Sequence, residues 1–333
     1  MQLGWGRNEH ERVRFLLLFA GWGGVECAAM KLPSLVLGIV VATMVAGCSR
    51  NAIEAVNLSN EGDKERAASN IEGAVSKYEQ ALQLDPTNHR IRYKLAMMYK
   101  KKEKWPEVAS QLAKAVEKAP TFANYYYERG LALANAADTK SPQANWSEAK
   151  GPLEEAISKD PNIADAYFEL AEVLLHLDDE AGALKNYTKA IETKPDELQY
   201  YGPLADLYMR LDKIDLAEQV LKEGLSFGKE GDKHLFAVHS LQGAVQEAKG
   251  NLPGAIASYE AAKKSCGQCN ESGQAIAYFN LGIAYADAKR NSEAIQQLAS
   301  FEKIICRGAA QARYADQCTT ASQYSMRLNS GGR

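Results

Sequence analysis

Residues 167–195 read YFELAEVLLHLDDEAGALKNYTKAIETKP. An amphipathic run, YFELAEVL (167–174), precedes a second one, AGALKNYTKAIETKP (181–195), and the second stops at Pro195. Small and apolar residues in each run fall at helical rather than strand spacing. Proline ends the second run because it cannot continue a helical hydrogen-bond ladder. The stretch therefore predicts two antiparallel helices.

The second-helix pattern recurs along the chain as AVSKYEQALQLDP, VASQLAKAVEKAP, AKGPLEEAISKDP, AEQVLKEGL, AIASYEAAKKSC and AIQQLASFEKIIC. Its leaders are Ala74, Val108, Ala149, Ala183, Ala217, Ala255 and Ala294, separated by 34, 41, 34, 34, 38 and 39 residues. Prolines follow at Pro86, Pro120, Pro161 and Pro195. First-helix runs stand upstream as YKLAMMY, YYERGLAL, YGPLADLY and YFNLGIAY. A fixed period of this length is the signature of a stacked array.

These residues resemble the tetratricopeptide repeat (TPR), a 34-residue pair of antiparallel helices. The small residues Ala96, Gly130, Ala171, Ala205, Gly243 and Gly282 match its position 8. The resemblance implies an all-α solenoid of about seven repeats over 55–308, closed by a capping helix and tail in 309–333. Two departures are expected to be local. An insertion near Asp138 to Asn145 should loop out of the third repeat, and Gly202-Pro203 should delay or kink the first helix of the fifth. The Gly-rich turn from Phe227 to Asp232 is expected to be a softened joint.

Upstream, MKLPSLVLGIVVATMVAGCSR begins at Met30. One lysine, an apolar stretch too short for a spanning helix, and small residues before a cysteine predict a cleaved signal. The VAGC ending, 45–48, resembles the lipobox of bacterial lipoproteins. That resemblance implies a signal over 30–47, lipidation of Cys48 with palmitate among the acyl chains, and a short anchor linker over 48–54. Ser49 after the cysteine implies an outer-membrane destination, facing the periplasm. Residues 1–29 fit neither segment and are read as a start assigned too early.

Composition agrees with a folded, soluble body: 46% hydrophobic and 24% charged residues suit neither a disordered nor a multi-pass membrane chain. Without 1–47 the chain holds 35 basic and 39 acidic residues, a charge of −4, so no nucleic-acid partner is expected. No histidine pair has metal spacing, and neither a phosphate-cradling loop nor a serine nucleophile elbow is present. The chain is read as no enzyme and without a cofactor. Cys266, Cys269, Cys306 and Cys318 carry the one remaining chemistry. An oxidising envelope favours disulfides, with Cys306–Cys318 closing the last repeat onto the capping helix and Cys266–Cys269 within a loop. A four-thiolate zinc site and a redox pair stay open alternatives, the thioredoxin setting being absent.

The 16 tyrosines divide by repeat position. Tyr126, Tyr167, Tyr201, Tyr278, Tyr99, Tyr208, Tyr285, Tyr78, Tyr187 and Tyr259 fall at packing positions. Tyr93, Tyr127, Phe168 and Phe279 fall at position 5, which the resemblance directs into a concave groove. Arg90, Lys100 and Lys101 are basic at the second repeat, Asp165, Glu169, Glu172 and Asp206 acidic in the fourth and fifth, and Met97 stands where a carboxylate clamp would need a polar side chain. A split-charge groove orients a peptide. The function expected is an outer-membrane lipoprotein scaffold that binds an envelope protein or peptide. Its layout resembles the pilotin-like lipoproteins of type IV pilus and secretin assembly. An adaptor for peptidoglycan hydrolases is the alternative scaffold.

Overall fold

The computed structural model describes residues 37–138, 146–271, 273–308 and 310–330, with side chains from Arg50 onward except 137 and 138. Residues 1–36, and the expected insertion from 139, lie outside the described residues. Two compact units divide at Asn88 and His89.

The first unit holds α1 (Leu37–Ala67) and α2 (Ile71–Leu84). Residues 48–54, read from the sequence as a linker, continue α1. The helices pack where Gly62 meets the Tyr78 ring, and a Cβ on Gly62 would lie 2.7 Å from that ring. Tyr78 is fully buried and its hydroxyl donates to Asp63 Oδ1 at 2.8 Å.

The second unit pairs α3 (His89–Lys101) with α4 (Trp105–Lys118) and α5 (Ala123–Asp138) with α6 (Trp146–Lys159). It continues with α7 (Ala164–His176) and α8 (Glu180–Thr193), then α9 (Tyr201–Arg210) and α10 (Ile214–Phe227). The last pairs are α11 (Leu235–Ala248) with α12 (Leu252–Ser265) and α13 (Ile276–Asp287) with α14 (Asn291–Phe301), followed by α15 (Ala315–Asn329). The fold is the all-α solenoid of helix pairs that the period predicts.

Two kinds of turn make the period. Within a repeat, one left-handed residue reverses the chain: Ser69, Glu103, Asp178, Asp212, Gly250 or Lys289. The next N–H then reaches back five residues, from Asn70 to Glu65, Lys104 to Tyr99, Asp179 to Leu174, Lys213 to Tyr208, Asn251 to Gln246 and Arg290 to Tyr285, at 2.8–3.0 Å. This six-residue closure satisfies carbonyls that the helix end leaves free. Between repeats, the helix ends on the residue before proline. Asp85, Ala119 and Lys194 take ψ of 81°, 68° and 80°, outside the helical region that a following proline disfavours. Where a turn residue is glycine, its freedom matters. Gly250 has φ +71°, so Gly250→Ala is expected to cost about 1 kcal/mol, read as a lower denaturation midpoint.

Small residues set the helix approach. A Cβ on Gly130 would meet Leu153, one on Gly224 the Tyr201 ring at 2.6 Å, and one on Gly243 would overlap Tyr259. Of the ten tyrosines at packing positions, Tyr78, Tyr167, Tyr187, Tyr201, Tyr259 and Tyr285 are buried, and Tyr99, Tyr126, Tyr208 and Tyr278 are half-buried. Two others, Tyr125 and Tyr200, are buried as well.

Gly202-Pro203 does delay its helix. A 3-10 turn, Leu198–Tyr200, precedes α9, which begins at Tyr201 and has only 10 residues. At the C-terminal end, α14 lacks a terminal proline and runs on through a π-helical turn, Glu302–Cys306. The capping helix starts at Ala315 after a 3-10 turn, Gln311–Tyr314, later than the sequence suggests. Ala321 is buried, and Tyr324 and Leu328 pack with it against Phe301 and Ile305.

Candidate functional site

Asp165, Glu169 and Glu172 stand four and three residues apart on α7, so they share one stripe. The first helices of neighbouring repeats bring further groups to that stripe: Lys100 from α3, Tyr127 and Glu128 from α5, and Tyr200 from the turn before α9. Tyr187 reaches it from α8.

Three of the four carboxylates have their own donor. Lys100 Nζ donates to Glu128 Oε2 at 2.7 Å, and Glu128 is only 9% exposed. The Tyr200 hydroxyl donates to Asp165 Oδ1 at 2.6 Å, joined by Gln199 Nε2 at 3.2 Å. The Tyr187 hydroxyl donates to Glu172 Oε1. Glu169 is half-buried among them with no hydrogen-bond or ion-pair partner among the described residues. Burial, then the charges of Glu172 and Asp165, pushes its carboxyl up to about 7, with Lys100 opposing. Burial also raises the Tyr127 hydroxyl, with Glu169 and Asp165 adding to it. The Tyr187 and Tyr200 phenols rise for the same two reasons, burial and a carboxylate partner.

The sign for stability follows. The native state holds the Glu169 proton more tightly than the unfolded chain, whose carboxyl titrates near 4.5. Stability therefore falls as pH rises from about 4.5 to about 7, and the loss is complete above that window. Glu169→Gln is expected to flatten this slope and to be more stable than the parent at pH 8, as urea titrations at pH 5 and pH 8 would read.

The other sequence-derived groove residues take varied places. Tyr93 is half-buried, stacks on Tyr125 at 5.1 Å and accepts from Asn124 Nδ2 at 2.9 Å. Phe168 packs between Tyr187 and Tyr200, at 5.8 and 5.3 Å. Phe279 packs on Phe301 at 5.2 Å. Tyr127 packs against the α7–α9 core, and Met97 against the core between α4 and α5. Arg90 and Asp206 are exposed, Asp206 with Arg210 at 3.3 Å. The rings of this face are thus largely spent on neighbouring rings, and its free chemistry is carboxylate.

Sequence reasoning missed Glu128 and Tyr200. The signal for Glu128 was present, because it stands two residues before Gly130 as Glu169 stands two before Ala171. Tyr200 had none, since the delayed start of α9 is what turns its ring toward α7.

Cys266 and Cys269 lie at disulfide distance with Cα atoms 5.1 Å apart, and Cys306 and Cys318 likewise at 5.6 Å. The backbone of Cys48 lies within α1, and its side chain is outside the described residues. Among the described residues, no helix is long and apolar enough to cross a membrane.

Two family models match the chain: one described as TPR repeat over residues 62–103, the other as tetratricopeptide repeat over 153–185. No curated protein matches. Among solved structures, the MamA protein is 26% identical, with a TM-score of 0.48 over 52% of this chain and 91% of that one. PilF of Pseudomonas aeruginosa is 17% identical, with a TM-score of 0.50 over 64% of this chain and 92% of that one. The Cut9–Hcn1 hetero-tetramer of the APC/C gives 19% identity and a TM-score of 0.50 over 81% of this chain and 52% of that one. The chain carries tetratricopeptide repeats, the architecture of protein-interaction scaffolds.

Proposed function

We propose, from a chain built of tetratricopeptide repeats, a lipid-anchored envelope scaffold that holds a protein partner on its first-helix face. The observation that carries the partner reading is Glu169, a half-buried carboxylate without a donor between three that have one. Such a face favours an extended or helical segment bearing lysine or arginine, because a cation placed there meets four carboxylates and one competing Lys100. The Val45-Ala46-Gly47-Cys48 sequence supports the anchor at Cys48, and Ser49 the outer membrane as its place. Several acyl chains hold such a protein stably. Within that setting, assistance to assembly of a type IV pilus or secretin complex is the finer reading, resting on the layout of lipobox followed by repeats.

Crosslinking in intact envelopes followed by pull-down tests the partner face. The parent chain is expected to retain a defined envelope protein, and Glu169→Lys to retain at least tenfold less at equal helicity. Equal capture by both would remove the first-helix face from the reading. Cys48→Ala is expected to leave the membrane fraction, and unchanged fractionation would remove the anchor.

A further inference from the structure

The two cysteine pairs differ in setting. Cys306 and Cys318 join the end of the last repeat to α15 and pack against the Phe301, Ile305 and Ala321 core. Cys266 and Cys269 join a loop to itself, three residues apart, between α12 and α13. Opening the first releases an element, whereas opening the second releases a four-residue loop.

Within the loop the two sulfurs are unequal. Cys269 is 1% exposed, while Cys266 is half-buried and lines a cleft of about 700 Å³ with Leu235, His239, Ala261 and Lys264. A thiolate in that cleft meets Cys266 and not Cys269. Cys269 also holds φ +46°, a left-handed conformation uncommon for a residue with a side chain. The reduced state is provided for. The Lys263 carbonyl oxygen lies 3.4 Å from Cys266 Sγ and 3.5 Å from Cys269 Sγ, an acceptor in place for either thiol. Opening stays local, because the Tyr278 hydroxyl donates to the Gln268 carbonyl at 2.8 Å and ties the loop to α13.

We infer that Cys266–Cys269 is a thiol–disulfide exchange site, open at Cys266 to a dithiol presented by another protein. The incoming thiolate attacks Cys266 Sγ and forms a mixed disulfide. The Cys266–Cys269 bond breaks, and Cys269 leaves as a thiolate that takes up a proton. The second thiolate of the dithiol attacks the incoming sulfur, and Cys266 leaves in its turn and is protonated. The dithiol is oxidised by two electrons, and the cysteine pair is reduced by the same two electrons and two protons. Cys306 and Cys318 are half-buried as Cys266 is, but their bond holds α15 on the Phe301 and Ile305 core, whereas Cys266–Cys269 closes only its own loop, and it is this freedom from packing that lets it exchange more readily.

Dithiothreitol titration of the native full chain, with alkylation and peptide mapping, tests this. Cys266 and Cys269 are expected to be labelled at least ten times faster than Cys306 and Cys318, with helicity unchanged. Labelling of all four together, or of Cys266 and Cys269 only once helicity is lost, would overturn it. Cys269→Ser supplies the second measurement. With oxidised glutathione its Cys266 is expected to form a stable mixed disulfide on the folded protein, and failure to form one overturns the accessibility on which the inference stands.

Discussion

Tyr187→Ala is expected to lower stability by about 3–5 kcal/mol, the range for deleting a large buried ring. Tyr187 is fully buried, and its ring lies 5.8 Å from Phe168. Its hydroxyl is the donor that holds Glu172. Removing the side chain therefore opens a cavity between α7 and α8 and leaves one more carboxylate of the stripe without a donor. Tyr187→Phe separates the two effects. It keeps the ring and is expected to cost about 1 kcal/mol, the usual worth of one hydrogen bond. Guanidinium titration reads the size of each loss. Because a repeat contacts chiefly its neighbours, hydrogen exchange is expected to locate the alanine loss in α7, α8 and α9 rather than spread it evenly. A uniform loss would show the array to be more cooperative than its nearest-neighbour packing implies.

The second large effect belongs to Cys306 and Cys318. Replacing both with serine is expected to cost about 3 kcal/mol, the chain-entropy value for a closed loop of this size. The loss should be felt at one end. The bond fixes α15 over Phe301 and Ile305, which otherwise form an open core edge. The double variant is expected to show an early thermal transition of the last repeat and α15, ahead of the main one, with increased binding of an apolar dye. A single unshifted transition would mean that packing alone holds the cap.

The helix pairs were legible in the sequence because small residues at a fixed step record where helices must approach. Ala183, Ala217 and Ala255 all have no exposed surface. The four prolines likewise marked helix ends, since each acts on its own preceding residue. Legibility failed where position depends on another element. Phe168 and Phe279 carry the right repeat position for an open groove, yet Tyr200 and Phe301 occupy the space beside them. The late start of α9 was readable from Gly202-Pro203, but its effect on Tyr200 was not, because that ring's destination is on α7. The acidic members Asp165, Glu169 and Glu172 were readable as charge. Their separation into held and unheld carboxylates was not, since each donor lies at least 15 residues away along the chain.

The six-residue closure at the six described turns has a bearing on ancestry. Among the described turns, every backbone hydrogen bond that makes the closure runs between residues five apart, within one repeat. Asp178 and Asp212 occupy equivalent points 34 residues apart, and each is followed by the same backward bond. A duplication or excision joined at those points would rejoin one intact turn to the next helix without a new junction having to be invented.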